Sequence, residues 1–204
     1  MTTIKQVLCG SAVAGLVAGT GAAMGTPIAH VGPFALDWVL AAEHALLIGT
    51  DGTNLEKILQ YAYTDDSGFK TLMSQGITGA TSEVNHTTIS GPSWSTILTG
   101  VWDDKHGVIN NVFHPEPYTA WPTVFNLLEF SKPEIHTGVI ADWDYINSIG
   151  AAGGYPADTN IFVPFENSWA DTDAQVTAQT IAQILATANT PDVSSFLFSY
   201  QVQV

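Results

Sequence analysis

His86-Thr87-Thr88-Ile89-Ser90-Gly91-Pro92-Ser93-Trp94-Ser95-Thr96-Ile97-Leu98-Thr99-Gly100 is the stretch from which the rest of the chain is read. Proline lacks an N–H and has a fixed φ, so Pro92 suits the first position of a helix, and Gly91 permits close backbone approach just before it. The pattern predicts a helix over Ser93 to Leu98. Ser90 then lies at the mouth of that helix, beside free backbone N–H groups and the positive end of the dipole, where a phosphate is stabilised. A proline-initiated helix alone is a common structural device. With a hydroxyl in that position it also makes Ser90 a candidate nucleophile, with Thr88 as the next residue in line.

Upstream, Ala45-Leu46-Leu47-Ile48-Gly49 is an apolar run ending in Thr50-Asp51-Gly52-Thr53-Asn54. It predicts a buried strand that delivers Asp51 at its carboxyl end, followed by a turn into a helix. Ligands of open α/β sheets bind outside the carboxyl ends of strands, although an acid there also serves as a plain helix cap. Downstream lies His106-Gly107-Val108-Ile109-Asn110-Asn111.

In order and spacing, these three pieces resemble the type I phosphodiesterase and nucleotide pyrophosphatase family of the alkaline-phosphatase superfamily. The family pattern is an apolar strand ending in Asp-Gly, a Thr- or Ser-x-Pro segment leading to Thr-Gly, then His-Gly-apolar-apolar-x-Asn. The resemblance runs from Ala45 to the end of the chain. It implies hydrolysis of phosphodiester or pyrophosphate bonds in a small phosphate ester or nucleotide, with two zinc ions as cofactors. Asp51 would ligate one zinc, Ser90 would approach both as the attacking oxygen, and Asn111 would donate its amide to a phosphoryl oxygen. Such chemistry suits these residue types, because a serine hydroxyl needs activation and zinc stabilises charge on attacking and leaving oxygens. Ser90 replaces the more usual threonine, and Ser93 and Trp94 replace polar residues common after the proline.

The family's remaining ligands follow a later apolar strand ending near a tyrosine. Ser195-Phe196-Leu197-Phe198-Ser199-Tyr200-Gln201-Val202-Gln203-Val204 is similar to that strand, and no Asp-x-x-Gly-His motif follows it. Tetrahedral zinc takes about four ligands, so the expectation is the N-terminal part of a phosphodiesterase with an incomplete metal site. The alternative is a non-catalytic exported protein keeping the fold. The six histidines, His30, His44, His86, His106, His114 and His136, are dispersed without a paired ligand spacing, and His106 reads as structural. Asp142-Trp143-Asp144 follows the strand-like Thr137 to Ala141, which places its acids near the carboxyl edge of the sheet; the plainer reading is a helix cap plus a solvated acid. A sulfatase is disfavoured, since the chain has no Cys-x-Pro-x-Arg segment and no arginine.

Length and composition agree with one α/β domain. The 204 residues can bury a sizeable core, and 46% are hydrophobic. Nineteen acids against five lysines give a formal charge of -14, which disfavours nucleic-acid backbones and anionic membranes as partners. Lys5 followed by an apolar Gly- and Ala-rich run resembles a secretory signal peptide with small-residue cleavage after Ala23, with an uncleaved anchor as the alternative. The expected division is therefore a leader over 1–29 and a phosphodiesterase-like domain over 30–204, secreted or in the cell envelope. Cys9 is the single cysteine, so the mature chain would have neither a disulfide nor a thiol nucleophile.

Strands are expected at His44 to Gly49, Ile77 to Val84, Ile135 to Ala141, Asn160 to Val163 and Ser195 to Gln203. Helices are expected at Asn54 to Tyr63, Phe69 to Gln75, Ser93 to Leu98, Pro122 to Phe130, Tyr145 to Ile149 and Asp173 to Ala188. In the last, Val176, Ile181, Ile184 and Leu185 form an apolar stripe. Strands alternating with helices imply a largely parallel sheet covered on both faces.

Overall fold

The computed structural model describes residues 3–9, 12–19, 44–64, 68–77, 88–190 and 193–202. Its sheet has the order β4-β1-β2-β3-β7-β5-β6. Four strands form the parallel part: β3 (His44–Asp51), β5 (His136–Ala141), β6 (Thr159–Phe162) and β7 (Ser195–Gln201). Antiparallel β1 (Thr3–Cys9) and β2 (Ala12–Gly19) continue the sheet beyond β3, and the short β4 (Gly76–Ile77) pairs with β1. The stretch expected to be a leader thus contains two strands. Of the strand expected at Ile77 to Val84, residues 78–84 lie outside the described residues.

Alternation along the central strands decides which helix covers which face. Val139 and Ala141 of β5 join Phe198 and Tyr200 of β7 in one core, whereas Ile140 packs with Val163 and Val176 on the other side. The larger core is closed by α3 (Ser90–Thr99), α6 (Val124–Ser131) and α7 (Asp144–Ala151), through Trp94, Leu98, Phe125, Ile146 and Ile149. The opposite face carries α8 (Trp169–Ala188). This is an α/β sheet with helices around four parallel strands, consistent with an alkaline-phosphatase-like core.

Between β3 and α3 lie α1 (Leu55–Thr64) and α2 (Gly68–Gln75). After α3 come two short helices that are not among the expected ones, α4 (Asp103–His106) and α5 (Glu116–Ala120).

Helix α8 departs from the expected stripe. Its buried residues are Thr172, Val176, Thr180 and Thr187, while Ile181 and Leu185 are 50% and 55% exposed. Threonine can occupy a buried helical seam when its hydroxyl returns to a carbonyl of the preceding turn. Thr172, Thr180 and Thr187 do this with Ser168, Val176 and Gln183 at 2.9, 2.8 and 3.0 Å. Thr180 also meets Ser199 Oγ of β7 at 2.8 Å, so a polar contact joins helix to sheet. Hydrophobic periodicity does not register such a seam, because it scores threonine as surface.

Trp94 has no solvent exposure and sits over the end of β3. It packs edge-on to Tyr200 with ring centroids 5.1 Å apart, and tilted against Phe198 at 5.6 Å. A Cβ on Gly49 would overlap the Trp94 ring, so absence of a side chain at 49 gives the indole its place. Gly49→Ala is expected to destabilise the fold by about 1–3 kcal/mol, the usual range for an added methyl in a packed core. Urea unfolding followed by tryptophan fluorescence measures this; an unchanged midpoint would contradict the packing described.

Candidate active site

Asp51 ends β3 at the carboxyl edge of the parallel strands. Its turn is anchored by Thr53 Oγ1, 2.7 Å from Thr50 Oγ1. Asp51 Oδ1 accepts the Gly52 N–H at 2.8 Å. Oδ2 accepts the Tyr200 hydroxyl at 2.6 Å and lies 3.4 Å from the Trp94 indole nitrogen. Burial, then the adjacent Asp51 charge, push the Tyr200 hydroxyl far above the usual phenol range. It therefore stays protonated and acts as a fixed donor to the carboxylate.

Ser90 is the first residue of α3, three positions earlier than the sequence pattern suggests, and is half-buried. Pro92 is the third helical residue, where its missing N–H still costs no intrahelical bond. No side chain of the capping residue Ile89 closes this end. Instead, Asn111 Oδ1 accepts the Gly91 N–H at 2.7 Å, and a Cβ on Gly91 would overlap the Asn110 carbonyl. Ser93 N–H bonds back to Ile89 at 3.0 Å. The expectation of several free N–H groups beside Ser90 is thus corrected: Gly91 is capped by Asn111, proline has none, and Ser93 is bonded within the helix. Thr88 precedes the helix and is exposed.

Direct links therefore join Asn111 to the start of α3 and Asp51 to Trp94, one helical turn beyond Ser90. The bond from Gly91 also fixes the orientation of the Asn111 amide: its oxygen is used, leaving nitrogen as the donating end. The loop bearing Asn111 has its own support. His106 is buried, with Nδ1 accepting the Val108 N–H at 3.0 Å and Nε2 3.0 Å from Thr96 Oγ1. A cavity of about 350 Å³ lies along this loop, lined by Val108, Ile109, Asn110, Val112 and His114 among others.

Helix α3 gains a second anchor lower down. Ser95 Oγ bonds the Gly91 carbonyl at 2.6 Å and meets the buried Tyr118 hydroxyl at 2.8 Å.

Among the described residues, His44 and His136 do not join this cluster. His44 begins β3, at the opposite edge, with Nδ1 3.0 Å from Ser195 Oγ. His136 begins β5, where it pairs with Asp158 at 3.3 Å. His30 and His86 lie outside the described residues.

Asp142 directly follows β5 at the carboxyl edge, as its place after a strand-like run suggests, but it is neither the helix cap nor a solvated acid. It is 6% exposed, not solvated, and Asp144 alone of that pair is an exposed first-turn acid. Asp142 Oδ2 accepts the Val202 N–H at 3.2 Å, while Oδ1 is buried with no hydrogen-bond donor. Burial pushes its carboxyl above the ordinary range, a hydrogen bond with Asp173 partly opposes this, and the charge of Asp51 adds to the rise. The available sequence signal was positional: like Asp51, Asp142 follows directly on a buried parallel strand.

These residues do not by themselves fit two zinc ions. Both Asp51 oxygens already accept hydrogen bonds, and among the described residues no group of three or more His, Cys, Asp or Glu side chains is arranged to hold a metal.

Ser90 opens α3 and Asp51 ends β3, and both fall in one segment that a family model covers. Residues 45–126 match the family model for type I phosphodiesterase / nucleotide pyrophosphatase. The matched part is less than half of the chain and contains Asp51, Ser90 and Asn111. It relates the chain to a family of phosphodiester and pyrophosphate hydrolases whose substrates are small nucleotides and phosphodiesters. No curated protein and no solved structure gives a significant match.

Tyr200→Phe removes a buried hydrogen bond to a carboxylate without changing ring packing. A loss of about 1.5–3 kcal/mol in unfolding free energy is expected, the range for bonds to charged groups. Chemical denaturation near neutral pH checks this, and a variant as stable as the wild type would show that the contact contributes nothing.

Proposed function

We propose that the protein is a hydrolase of phosphodiester or pyrophosphate bonds that uses Ser90 as nucleophile. The observation that carries this reading is Asn111 capping α3 beside Ser90, within the matched segment. Ser90 Oγ attacks phosphorus, its proton passes to a base, and the bond to the leaving oxygen breaks. Water then attacks the phosphoserine, the Ser90 Oγ–P bond breaks, and the serine is restored. The Asn111 amide nitrogen donates to a phosphoryl oxygen as charge develops, and the α3 dipole stabilises the same charge.

The family resemblance adds zinc, which when bound activates oxygen nucleophiles and neutralises charge. Asp51 and Ser90 are the groups this chain would offer. A two-zinc site requires ligands beyond the described residues, so no step is assigned to the metal. Residues 30–204 form the catalytic domain in this proposal. The composition of residues 1–29 supports export to the cell envelope or medium. Among the described residues no helix is long and apolar enough to cross a membrane.

The second reading, an exported protein with the fold but not the chemistry, is favoured by an Asp51 whose two oxygens already accept hydrogen bonds. Hydrolysis of an aryl phosphodiester, assayed with added zinc, separates the two. Ser90→Ala is expected to abolish turnover, Asn111→Ala to lower it on the order of 10²-fold as for loss of one oxyanion donor, and Thr88→Ala to leave it unchanged. Full activity in Ser90→Ala would eliminate the proposed nucleophile. A wild type inert with zinc would favour the non-catalytic reading.

A further inference from the structure

We propose that Tyr118 is a positioning residue for the candidate site. Its hydroxyl sets the mouth of α3 through Ser95, and its ring seats the loop that carries Asn111. The proposal rests on the reading of Ser90 as nucleophile and Asn111 as phosphoryl-oxygen donor.

Two peptide groups follow Ser90 at the start of α3, and each is tied to a different element. The N–H of Gly91 donates to Asn111 Oδ1 at 2.7 Å. The carbonyl of Gly91 accepts Ser95 Oγ at 2.6 Å. A serine hydroxyl has one proton to give, and the carbonyl takes it. The phenol is therefore the donor in the 2.8 Å contact between Tyr118 and Ser95. Burial keeps that phenol protonated, far above its ordinary range. The Tyr145 hydroxyl of α7 stands 3.4 Å behind it. Ser95, Tyr118 and Tyr145 are all buried, so leaving one of these hydroxyls unpaired costs its full desolvation.

The Tyr118 ring has a second hold. Phe113, two positions after Asn111, stacks on it with centroids 5.7 Å apart and planes 10° from parallel. Phe113 also meets Tyr145 edge-on at 5.7 Å. One position before Asn111, the Asn110 carbonyl occupies the place that a Cβ on Gly91 would take. The Asn111 loop is thus pinned on two sides, against α3 by Asn110 and against the tyrosine pair by Phe113. Ser90 and Asn111 lie on different elements, and Tyr118 touches the support of each. A phenylalanine would fill this core equally well; what tyrosine adds is the donor to Ser95.

The test uses the full chain. Tyr118→Phe keeps the ring and its stack, and Ser95→Ala keeps the phenol but breaks the relay. Thr180→Val, which removes a buried hydroxyl on the opposite face of the sheet, controls for lost stability alone. Aryl phosphodiester hydrolysis with added zinc is measured where every variant is folded. In Tyr118→Phe and Ser95→Ala, kcat is expected to fall by up to about 10²-fold, the cost of a misplacement of about 1 Å, with KM unchanged. The double variant should be no slower than the slower single variant, because both changes cut one relay. Thr180→Val should keep the wild-type kcat. A Tyr118→Phe protein with wild-type kcat, or with a loss matched by Thr180→Val, would overturn the proposal.

Nuclear magnetic resonance reads the same geometry without turnover. The Asn111 side-chain amide and Gly91 N–H signals are expected to shift in Tyr118→Phe and in Ser95→Ala, and to stay in place in Thr180→Val. An Asn111 amide unmoved in both of the first two variants overturns the proposal whether or not the wild type is active. Shifted signals in a protein that is inert with zinc refute the hydrolase reading while upholding the hold of Tyr118 on both elements. If Tyr118→Phe fails to fold, Ser95→Ala decides by the same two measurements.

Discussion

Everything at the carboxyl edge of this sheet depends on how Asp51 is held. One oxygen takes the backbone of its own turn, and the other takes a phenol from β7 with an indole from α3 close by. Three elements distant in sequence thereby converge on a single carboxylate. The donors are aromatic, so they anchor the acid and fill the core beneath it at once. Trp143 extends the layer, stacked on Tyr145 at 4.7 Å and 6.0 Å from Tyr200.

The arrangement concentrates negative charge where the resemblance leads one to expect metal. Asp51 and Asp142 both raise the cost of ionising Tyr200, and five lysines in the whole chain leave few counter-charges. Hydrogen bonds therefore carry what ion pairs carry elsewhere. A divalent ion arriving here would meet a field of the right sign, but an Asp51 whose oxygens are already engaged.

Much of this was legible in the chain. The parallel strands could be read because their apolar runs are short, bounded and interrupted by helical patterns. Asp51 and Ser90 stood out because strand ends and helix starts carry strong local signals. What stayed hidden depended on tertiary context. The threonine seam of α8 works through hydroxyls returning to their own helix. The cap on α3 comes from Asn111, a residue on a later loop. Asp142 is held by the Val202 N–H, 60 residues further on, a contact that its place after a strand does not by itself encode.

Gly49 and Trp94 illustrate a further dependence between distant positions. The indole occupies space that a methyl group at 49 would claim. A methyl there is harmful while the indole is present, yet partly fills the void that a smaller residue at 94 would leave. The two substitutions are therefore non-additive, as expected for residues in contact. Sequence drift at either position is conditional on the other. The indole also approaches Asp51, so this steric bargain between strand and helix constrains how the candidate site can vary.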